Sequence, residues 1–312
     1  MRLLQRTWTM PLDPRTHPGS LTLPAPAKLN LLLRILGRRP DGYHELQTLF
    51  QLLDFGDELR FAPRDDSMIA VEVDGAPGHD QIPLQDNLVY RAAMILRNEC
   101  GCSRGANIHL RKRLPMGGGI GGGSSDAATT LLGLNRLWRC NLSIDRLAEL
   151  GRKLGADVPV FVRGHTAWAE GIGEALVPVD TEKRHYLVVV PGCSVSTAAV
   201  FQHPRLTRDS GAITLPHLRD GRLDPRWLEE YSTNDCQALV EDLYPQVRAA
   251  REWLQQFAQA QLTGTGACVF AAFDSSQEAQ QVLRQLPTGW KGFVAAGVNT
   301  SPTHERLANA AP

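Results

Sequence analysis

The segment LPMGGGIGGGSSDAA, residues 114–128, carries the strongest indication of how this chain folds and what it does. Six glycines fall within positions 117–123, and because glycine is entropically costly to order, such a run needs a physical reason. A loop without Cβ atoms lets backbone N–H groups approach a ligand closely. The Ser-Ser-Asp that follows opens a predicted helix, whose N-terminus favours an anion. The segment therefore predicts a phosphate-binding loop.

The sequence on either side of the loop supports this interpretation. Before it, apolar Ile108 and Leu110 alternate with polar residues, which predicts a strand. After it, apolar residues recur at helical spacing and predict one buried helix face: Ala127, Leu131, Leu134 and Trp138. The alternative, a flexible linker, is disfavoured because linkers rarely lie between such a strand and such a helix.

Familiar phosphate-binding patterns do not match this loop. The chain has no GxxxxGK[ST] segment, so the loop is not a Walker loop, and no protein-kinase catalytic-loop signature follows it. GxGxxG-like spacings occur, but any such glycine run contains them, so they do not indicate a dinucleotide site. A phosphate loop of another type is required.

Length and charge narrow the classes of function. The chain has 312 residues, which favours two domains that share a cleft. Lys plus Arg and Asp plus Glu both number 33, so the formal net charge is zero. Nucleic-acid binding and polybasic membrane binding need a basic excess, so both are disfavoured. No apolar run approaches the roughly 18–20 residues of a membrane span.

The N-terminus and the cysteines point to a cytoplasmic protein. Residues 1–20 lack the continuous apolar core of a secretory signal, and we interpret them as a loose extension with Met10 as an alternative start. The six cysteines form no CxxC pair, so neither a disulfide scaffold nor a zinc site is supported. Free thiols in a reducing cytoplasm are predicted.

Hydrophobic periodicity predicts a mixed order of strands and helices along the chain. Predicted strands cover residues 29–36, 43–55, 108–110, 186–190 and 293–298, with a glycine turn and an apolar strand within 262–273. Predicted helices cover residues 87–98, 127–138, 237–258 and 277–286, and another begins at Ser143 and stops at Gly155. Residues 203–225 are predicted to form a surface loop. This order indicates two α+β domains with a boundary near residues 171–185.

Three segments together resemble the GHMP small-molecule kinases. They are PAPAKLN at residues 24–30, PMGGGIGGGSSDAA at 115–128 and LTGTGACVF at 262–270. The resemblance runs from about residue 24 to residue 300. It implies an α+β, two-domain GHMP kinase fold, with an N-terminal domain like domain 2 of ribosomal protein S5, a ferredoxin-like C-terminal domain and a cleft between them.

The same resemblance implies how the chain divides into domains. Residues 1–23 would be a flexible extension, residues 24–176 the ATP-binding N-terminal domain and residues 177–312 the substrate-binding C-terminal domain. The segment TGTGA, residues 263–267, would form a second tight turn near the phosphates, where glycine permits close backbone approach. From the residues alone, a β-turn without a ligand remains the alternative.

Further segments resemble one branch of this family, which phosphorylates a cytidyl diphosphate sugar alcohol in the non-mevalonate isoprenoid pathway. They are RRPDGYHELQTLFQLLDFGDEL at residues 38–59, LGADVPVFVRGHTAWAEGIGE at 154–174 and STNDCQ at 232–237. The implied reaction transfers the γ-phosphoryl group of ATP, with Mg²⁺, to a substrate hydroxyl. The family usually shows GLGSSAA, whereas this chain has Asp126 after its two serines. Asp126 would hold a metal or cap the helix, so the Mg²⁺ ligands stay unassigned.

Two charged residues match the catalytic positions of the family. Asp157 would accept the hydroxyl proton, and Lys28 would keep Asp157 ionised and steady the developing charge, because a nearby opposite charge lowers a carboxylate pKa. From the residues alone, a helix cap before Pro159 is favoured for Asp157 and a surface lysine of a strand for Lys28, and the match to the family reverses both preferences.

The remaining predicted contacts come from the same matches. The ATP phosphates would lie on the loop of Pro115, Met116, Gly117, Gly118, Gly119, Ile120, Gly121, Gly122, Gly123, Ser124 and Ser125. Tyr43 and His44 would hold the cytosine ring, Asn30 the sugar hydroxyls, and Thr197 and Phe201 the opposite wall. Ordinary core packing is the alternative for Tyr43 and Phe201.

Rival functions stay open at this point. The chain would otherwise be another GHMP kinase, acting on homoserine or mevalonate, or a catalytically idle ligand sensor. A third rival is an RNA-binding protein, because ribosomal proteins share the expected N-terminal fold, although zero net charge disfavours it. The expected partners are ATP and the cytidyl diphosphate sugar alcohol, with no nucleic acid and no membrane, in a monomer or weak homodimer.

Overall fold

A computed structural model of the chain describes residues 19–75, 82–216, 218 and 220–309. Most of the predicted N-terminal extension, including Met10, lies outside the described residues. Strands of both halves of the chain join in one mixed sheet. Its strands are β1 Leu21–Arg38, β2 His44–Arg64, β3 Ile69–Asp74, β4 Gly105–Arg111, β5 Ala167–Glu170, β6 Ala175–Pro178, β7 His185–Val190, β8 Ala260–Leu262, β9 Val269–Phe273 and β10 Lys291–Val298. Neighbouring strands follow the order β3-β4-β2-β10-β7-β9-β8, with β1 and β5 also paired to β2 and β6 paired to β5.

The sheet is largely antiparallel. Among the described strands, only β3 and β4 pair in parallel. The long strand β2 pairs with β1, β4 and β5, and at Leu52 and Leu53 it also pairs with the end of β10. Through that short contact the N-terminal strands continue into β10, β7, β9 and β8. β2 and β10 therefore connect the two halves.

Helices cover the sheet and complete its cores. They are α1 Leu88–Glu99, α2 Gly122–Leu137, α3 Ile144–Arg152, α4 Val158–Arg163, α5 Thr197–Gln202, α6 Pro225–Tyr231, α7 Gln237–Leu243, α8 Pro245–Leu254, α9 Ser276–Leu283 and α10 Pro302–Asn309. Helices α1 to α4 pack with strands β1, β2 and β4 around buried residues such as Phe61 and Leu131. Helices α7 to α9 build a second core with β7 to β9.

The element predictions hold with one instructive difference. Ser143 caps α3, since its hydroxyl accepts a hydrogen bond from the N–H of Arg146 at 3.2 Å. The single helix expected over residues 237–258 is instead two, α7 and α8, which meet at Tyr244. Pro245 begins α8 because proline lacks an N–H and is accommodated only in the first turn of a helix.

The last helix returns to the N-terminal half of the molecule. In α10, the hydroxyl of Thr303 donates to the carbonyl oxygen of Pro24 on β1 at 2.7 Å, and Nε2 of His304 lies 2.9 Å from the carbonyl oxygen of Val162 on α4. The division into domains at residue 176 stays a prediction. All six cysteines are free thiols, as expected. Within the described part of the chain, no helix combines the length and the apolar character required to cross a membrane.

Candidate active site

A cavity of about 980 Å³ lies between the two halves of the chain. Its size falls at the upper end of the roughly 300–1,000 Å³ range of small-molecule sites. The predicted site residues that line it are Lys28, Asn30, Tyr43, His44, Asp157, Thr197, Phe201 and the whole glycine loop up to Ser124. Ser125 is the exception: it is completely buried in α2 and its hydroxyl has no hydrogen-bond partner among the described residues.

Lys28 is buried and held by three acceptors. Its Nζ atom donates to Oδ1 of Asn30 at 2.5 Å and to the carbonyl oxygen of Gly119 at 3.0 Å, and it lies 3.2 Å from Oδ2 of Asp157. An ammonium group has three donors, so this arrangement satisfies it and fixes its position. Lys28 is therefore not the surface lysine that the residues alone allowed.

Asp157 occupies the N-cap position of α4, but its side chain makes no capping hydrogen bond. The carboxylate instead faces Lys28, and 32% of its side chain stays exposed, against 3% for Lys28. The cap interpretation therefore does not account for this side chain. A carboxylate that is open to the cavity and beside a fixed lysine is suited to accept a proton.

Irregularities in β1 place Lys28 and Asn30 in the cavity wall. The pairing of β1 with β2 shifts register between Pro26 and Lys28 and again between Asn30 and Leu32. Bulges of this kind bend a strand and re-aim its side chains, and they are common beside active sites. The amide of Asn30 is itself engaged, because Nδ2 donates to the hydroxyl of Thr48 at 2.8 Å. Asn30 thus orients Lys28 as well as facing the cavity.

The glycine loop packs directly on the second glycine turn. The N–H groups of Ala267 and Cys268 donate to the carbonyl oxygens of Gly117 and Gly118 at 2.9 and 3.1 Å. Gly119 has a φ of +71°, and a Cβ atom there would lie 2.2 Å from the carbonyl oxygen of Thr263. Glycine is thus required by backbone conformation and by space. The two turns form one side of the cavity.

A buried charge cluster fastens both ends of the loop. Lys112, before the loop, donates from Nζ to Oδ2 of Asp57 and to Oδ2 of Asp126, the latter at 2.7 Å. Oδ1 of Asp57 accepts from the backbone N–H groups of Arg113 and Leu114 at 2.5 and 2.8 Å. Since Asp126 lies within α2, the cluster ties β2, the loop entry and the helix together.

The cluster shifts the pKa values of its members. Burial raises the pKa of the Asp126 carboxyl to about 7, although the ammonium group of Lys112 acts in the opposite direction. Burial lowers the pKa of Lys112, but the charges of Asp126 and Asp57 more than offset this, so it lies above its ordinary value. Asp126 does not cap α2, because it lies inside the helix.

Asp126 is also poorly suited to hold Mg²⁺. Its carboxylate lines the cavity, and Oδ1 has no hydrogen-bond partner among the described residues. However, Lys112 already neutralises Oδ2, and a buried ammonium group repels a divalent cation. Another group with metal-ligand geometry in the described part of the chain, Glu72, Asp74 and His109, lies on the β3–β4 pair and does not line the cavity.

The opposite wall presents rings and hydroxyls. Tyr43 is 59% exposed at the cavity mouth, so core packing does not account for it. The ring of His44 lies 5.1 Å from that of Phe201 with a 35° angle between their planes. The hydroxyl oxygens of Thr197 and Thr265 lie 2.8 Å apart and join α5 to the second glycine turn.

Sequence reasoning missed several residues of this site. The Lys112 cluster was visible only as a short basic run before the loop, and its carboxylate partners come from distant elements. Arg208 lies in the segment predicted to be a surface loop, yet its Nε atom donates to Nε2 of His44 at 2.9 Å. Local sequence patterns do not predict such contacts, because the contacts form between segments far apart in the chain.

Family models and a solved structure match this architecture. The model of the GHMP kinases N terminal domain matches residues 87–165, and that of the GHMP kinases C terminal matches residues 219–292. A crystal structure of mevalonate kinase, 13% identical, superposes with a TM-score of 0.63 over 89% of this chain and 99% of that chain, a likeness of fold alone. The chain belongs to the GHMP kinases.

Two relatives of high sequence identity belong to one branch of the GHMP kinases. The 4-diphosphocytidyl-2-C-methyl-D-erythritol kinase of Pseudomonas syringae pv. syringae is 56% identical over 287 residues, which are 92% of this chain and 97% of the relative. The kinase of the same name from Hahella chejuensis is 52% identical over 92% of this chain and 97% of its own length. A crystal structure of 4-(cytidine 5'-diphospho)-2C-methyl-D-erythritol kinase is 31% identical, with a TM-score of 0.72, and covers 89% of this chain and all (100%) of that chain.

Proposed function

We propose that this protein transfers the γ-phosphoryl group of ATP to the 2-hydroxyl of 4-diphosphocytidyl-2-C-methyl-D-erythritol, giving the 2-phosphate and ADP in the non-mevalonate isoprenoid pathway. The observation that carries the proposal is the Lys28–Asp157 pair, 3.2 Å apart, which lines the same cavity as the glycine loop and the aromatic wall. One cavity would thus combine groups that bind phosphate, accept a proton and stack on a ring.

The glycine loop would bind the phosphates. Its backbone N–H groups and the N-terminus of α2 favour an anion, and the absence of Cβ atoms allows close approach. The contacts between this loop and the turn of residues 263–267 stabilise the loop before ATP binds. The loop then needs little rearrangement during the reaction. Dipoles that are already in position stabilise the charge of the transition state in phosphoryl transfer.

Asp157 would accept the proton of the substrate hydroxyl as that oxygen attacks the γ-phosphorus. Lys28, held by Asn30 and by the carbonyl oxygen of Gly119, would stabilise the negative charge that develops between the hydroxyl and the phosphoryl group. Its contact with Gly119 also links the proton-accepting side of the cavity to the phosphate loop. The carboxylate of Asp157 and the ammonium group of Lys28 would thereby keep a fixed position relative to the phosphates.

The substrate would lie with its cytosine ring on the far wall. Tyr43 and Phe201 offer ring faces for stacking, and His44 offers a hydrogen bond to the base edge. Asn30 and Thr197 would face the sugar alcohol and its diphosphate. Mg²⁺ would bind together with ATP. We propose no protein ligand for it among the described residues, since the carboxylate of Asp126 already pairs with Lys112.

The experiment is ADP release with ATP and Mg²⁺ in the presence of three acceptors: the diphosphocytidyl substrate, homoserine and mevalonate. Turnover with the first alone supports the proposal, and turnover with another acceptor would replace the substrate while keeping the kinase. Binding of ATP without turnover on any acceptor would favour a ligand sensor. The cytoplasmic location, the monomer or weak homodimer and the lack of nucleic-acid partners stay predictions.

A further inference from the structure

Arg208 makes four hydrogen bonds within the protein, one of them to the cavity residue His44, although it lies outside every sequence motif described above. Its guanidinium donates from Nη2 to the carbonyl oxygens of Phe201 and His203 at 2.9 and 2.8 Å, and from Nη1 to that of Leu206 at 3.1 Å. The remaining nitrogen, Nε, donates to Nε2 of His44 at 2.9 Å. Three carbonyl oxygens thus hold Arg208 in place, and its fourth bond is aimed at the imidazole.

This contact determines the protonation pattern of His44. A guanidinium group only donates hydrogen bonds and keeps its charge in proteins, so Nε2 of His44 must be the acceptor. An Nε2 atom that accepts a hydrogen bond carries no proton, and burial, and after it the charges of Arg208 and Arg38, lower the pKa of His44 in the same sense. A neutral imidazole whose Nε2 accepts carries its proton on Nδ1.

In the proposed complex, the proton on Nδ1 of His44 would be offered to the base. His44 lines the cavity, its ring packs against Phe201, and within the described residues Nδ1 has no hydrogen-bond partner. A donor fixed on this wall recognises a ring nitrogen that accepts, such as N3 of cytosine. It opposes a ring nitrogen that carries hydrogen, such as N3–H of uracil, because two donors would then face each other unpaired.

We infer that Arg208 is a specificity-determining, positioning residue: by donating to Nε2 it holds His44 as the Nδ1–H tautomer, which selects cytosine over uracil in the nucleotide part of the substrate. The inference rests on the proposed function. In this inference Arg208 does not touch the base. It controls the choice between cytosine and uracil by determining which nitrogen of His44 donates a hydrogen bond. Without Arg208 the imidazole would be free to adopt either tautomer and accommodate either base.

The kinetic test compares the cytidyl substrate with its uridyl counterpart. In Arg208→Met, which keeps an unbranched apolar stem but no donor, we expect the ratio of kcat/KM values for the two substrates to fall about 10- to 100-fold, mainly through KM. Arg205→Met is the matched control, because Arg205 is exposed and pairs with Asp242 outside the cavity. The control should keep the wild-type ratio. Equal losses for both substrates in Arg208→Met, or an unchanged ratio, would overturn the inference.

A second measurement keeps the inference testable if the variant folds poorly. In the intact wild-type protein, two-bond ¹H–¹⁵N NMR correlations of the imidazole distinguish the two tautomers of His44. We expect hydrogen on Nδ1 alone at neutral pH; hydrogen on Nε2 would refute the role of Arg208. If the wild type turns over neither nucleotide substrate, the proposed function fails, whereas the tautomer measurement still decides what Arg208 does.

Discussion

The ammonium group of Lys28 lies 3.2 Å from the carboxylate of Asp157, and the pair is asymmetric in its exposure. Only 3% of the Lys28 side chain is exposed, whereas 32% of the Asp157 side chain is exposed on the cavity side. The lysine has two further acceptors in Asn30 and Gly119. The fixed partner is therefore the cation, and the carboxylate is the group that remains accessible to a hydroxyl.

Replacing Asp157 with asparagine should abolish proton acceptance while preserving shape. We expect kcat for ADP release to fall by about 10²- to 10⁴-fold, the usual contribution of general base catalysis, with KM for ATP changed only a few-fold. Asp145→Asn is the control, because Asp145 is 77% exposed and pairs with Arg163 on the surface. A kcat within tenfold of wild type in Asp157→Asn would contradict the assigned role.

Two glycines of the loop should respond oppositely to alanine. A methyl group at Gly119 would lie 2.2 Å from the backbone oxygen of Thr263, at a φ of +71°. Gly119→Ala should therefore lower the free energy of unfolding by about 1–3 kcal/mol, and it should also raise KM for ATP. Urea denaturation and ADP-release kinetics measure the two effects.

Gly123→Ala is the matched comparison within the same loop. Its nearest neighbour would be the flexible end of Leu88 at 3.3 Å, and the residue lies in the first turn of α2. Alanine is favoured over glycine in helices by roughly 0.5–1 kcal/mol, so stability should hold or rise. Equal destabilisation by both substitutions would show that the close approach at Gly119 is unimportant.

Asp126→Asn should change how stability depends on pH. The folded-state pKa of Asp126, about 7, exceeds its ordinary value of 3.8, so the folded protein binds this proton more tightly than the unfolded chain does. The stabilisation from Asp126 is present at low pH and is lost as pH rises toward the folded value. The unfolding free energy of Asp126→Asn relative to wild type should therefore increase as the pH rises from about 4 to about 7, by roughly 1 kcal/mol or more, and level off above that. A constant difference would refute the raised pKa.

Tyr43→Ala should affect substrate binding without affecting the fold. Because Tyr43 is 59% exposed, its removal should leave the thermal unfolding midpoint within about a degree, as expected of an exposed surface site. Base stacking contributes roughly 1–3 kcal/mol, so KM for the cytidyl substrate should rise about 5- to 100-fold. Met68→Ala, also exposed but away from the cavity, should leave KM unchanged. A lower midpoint in Tyr43→Ala would instead indicate a packing role.

Much of the fold was predictable because its signals are local. The helix after the loop, the cap at Ser143 and the alternation before the loop all depend on residues within a few positions of each other. The division of residues 237–258 into two helices was missed, although Pro245 signals it, since apolar spacing continues across the break. Periodicity records which face is buried and does not register a change of helix axis.

By itself the sequence determined the glycine loop, the family and the residue types available for chemistry, because glycine runs, spacings and motifs are properties of the chain. Only the tertiary structure decided the rest. It removed the cap and surface alternatives for Asp157 and Lys28, placed Lys112 between two carboxylates and brought Arg208 to His44. Each of these depends on distance and burial between segments remote in sequence, and burial decides whether a charge is solvated, paired or shifted in pKa.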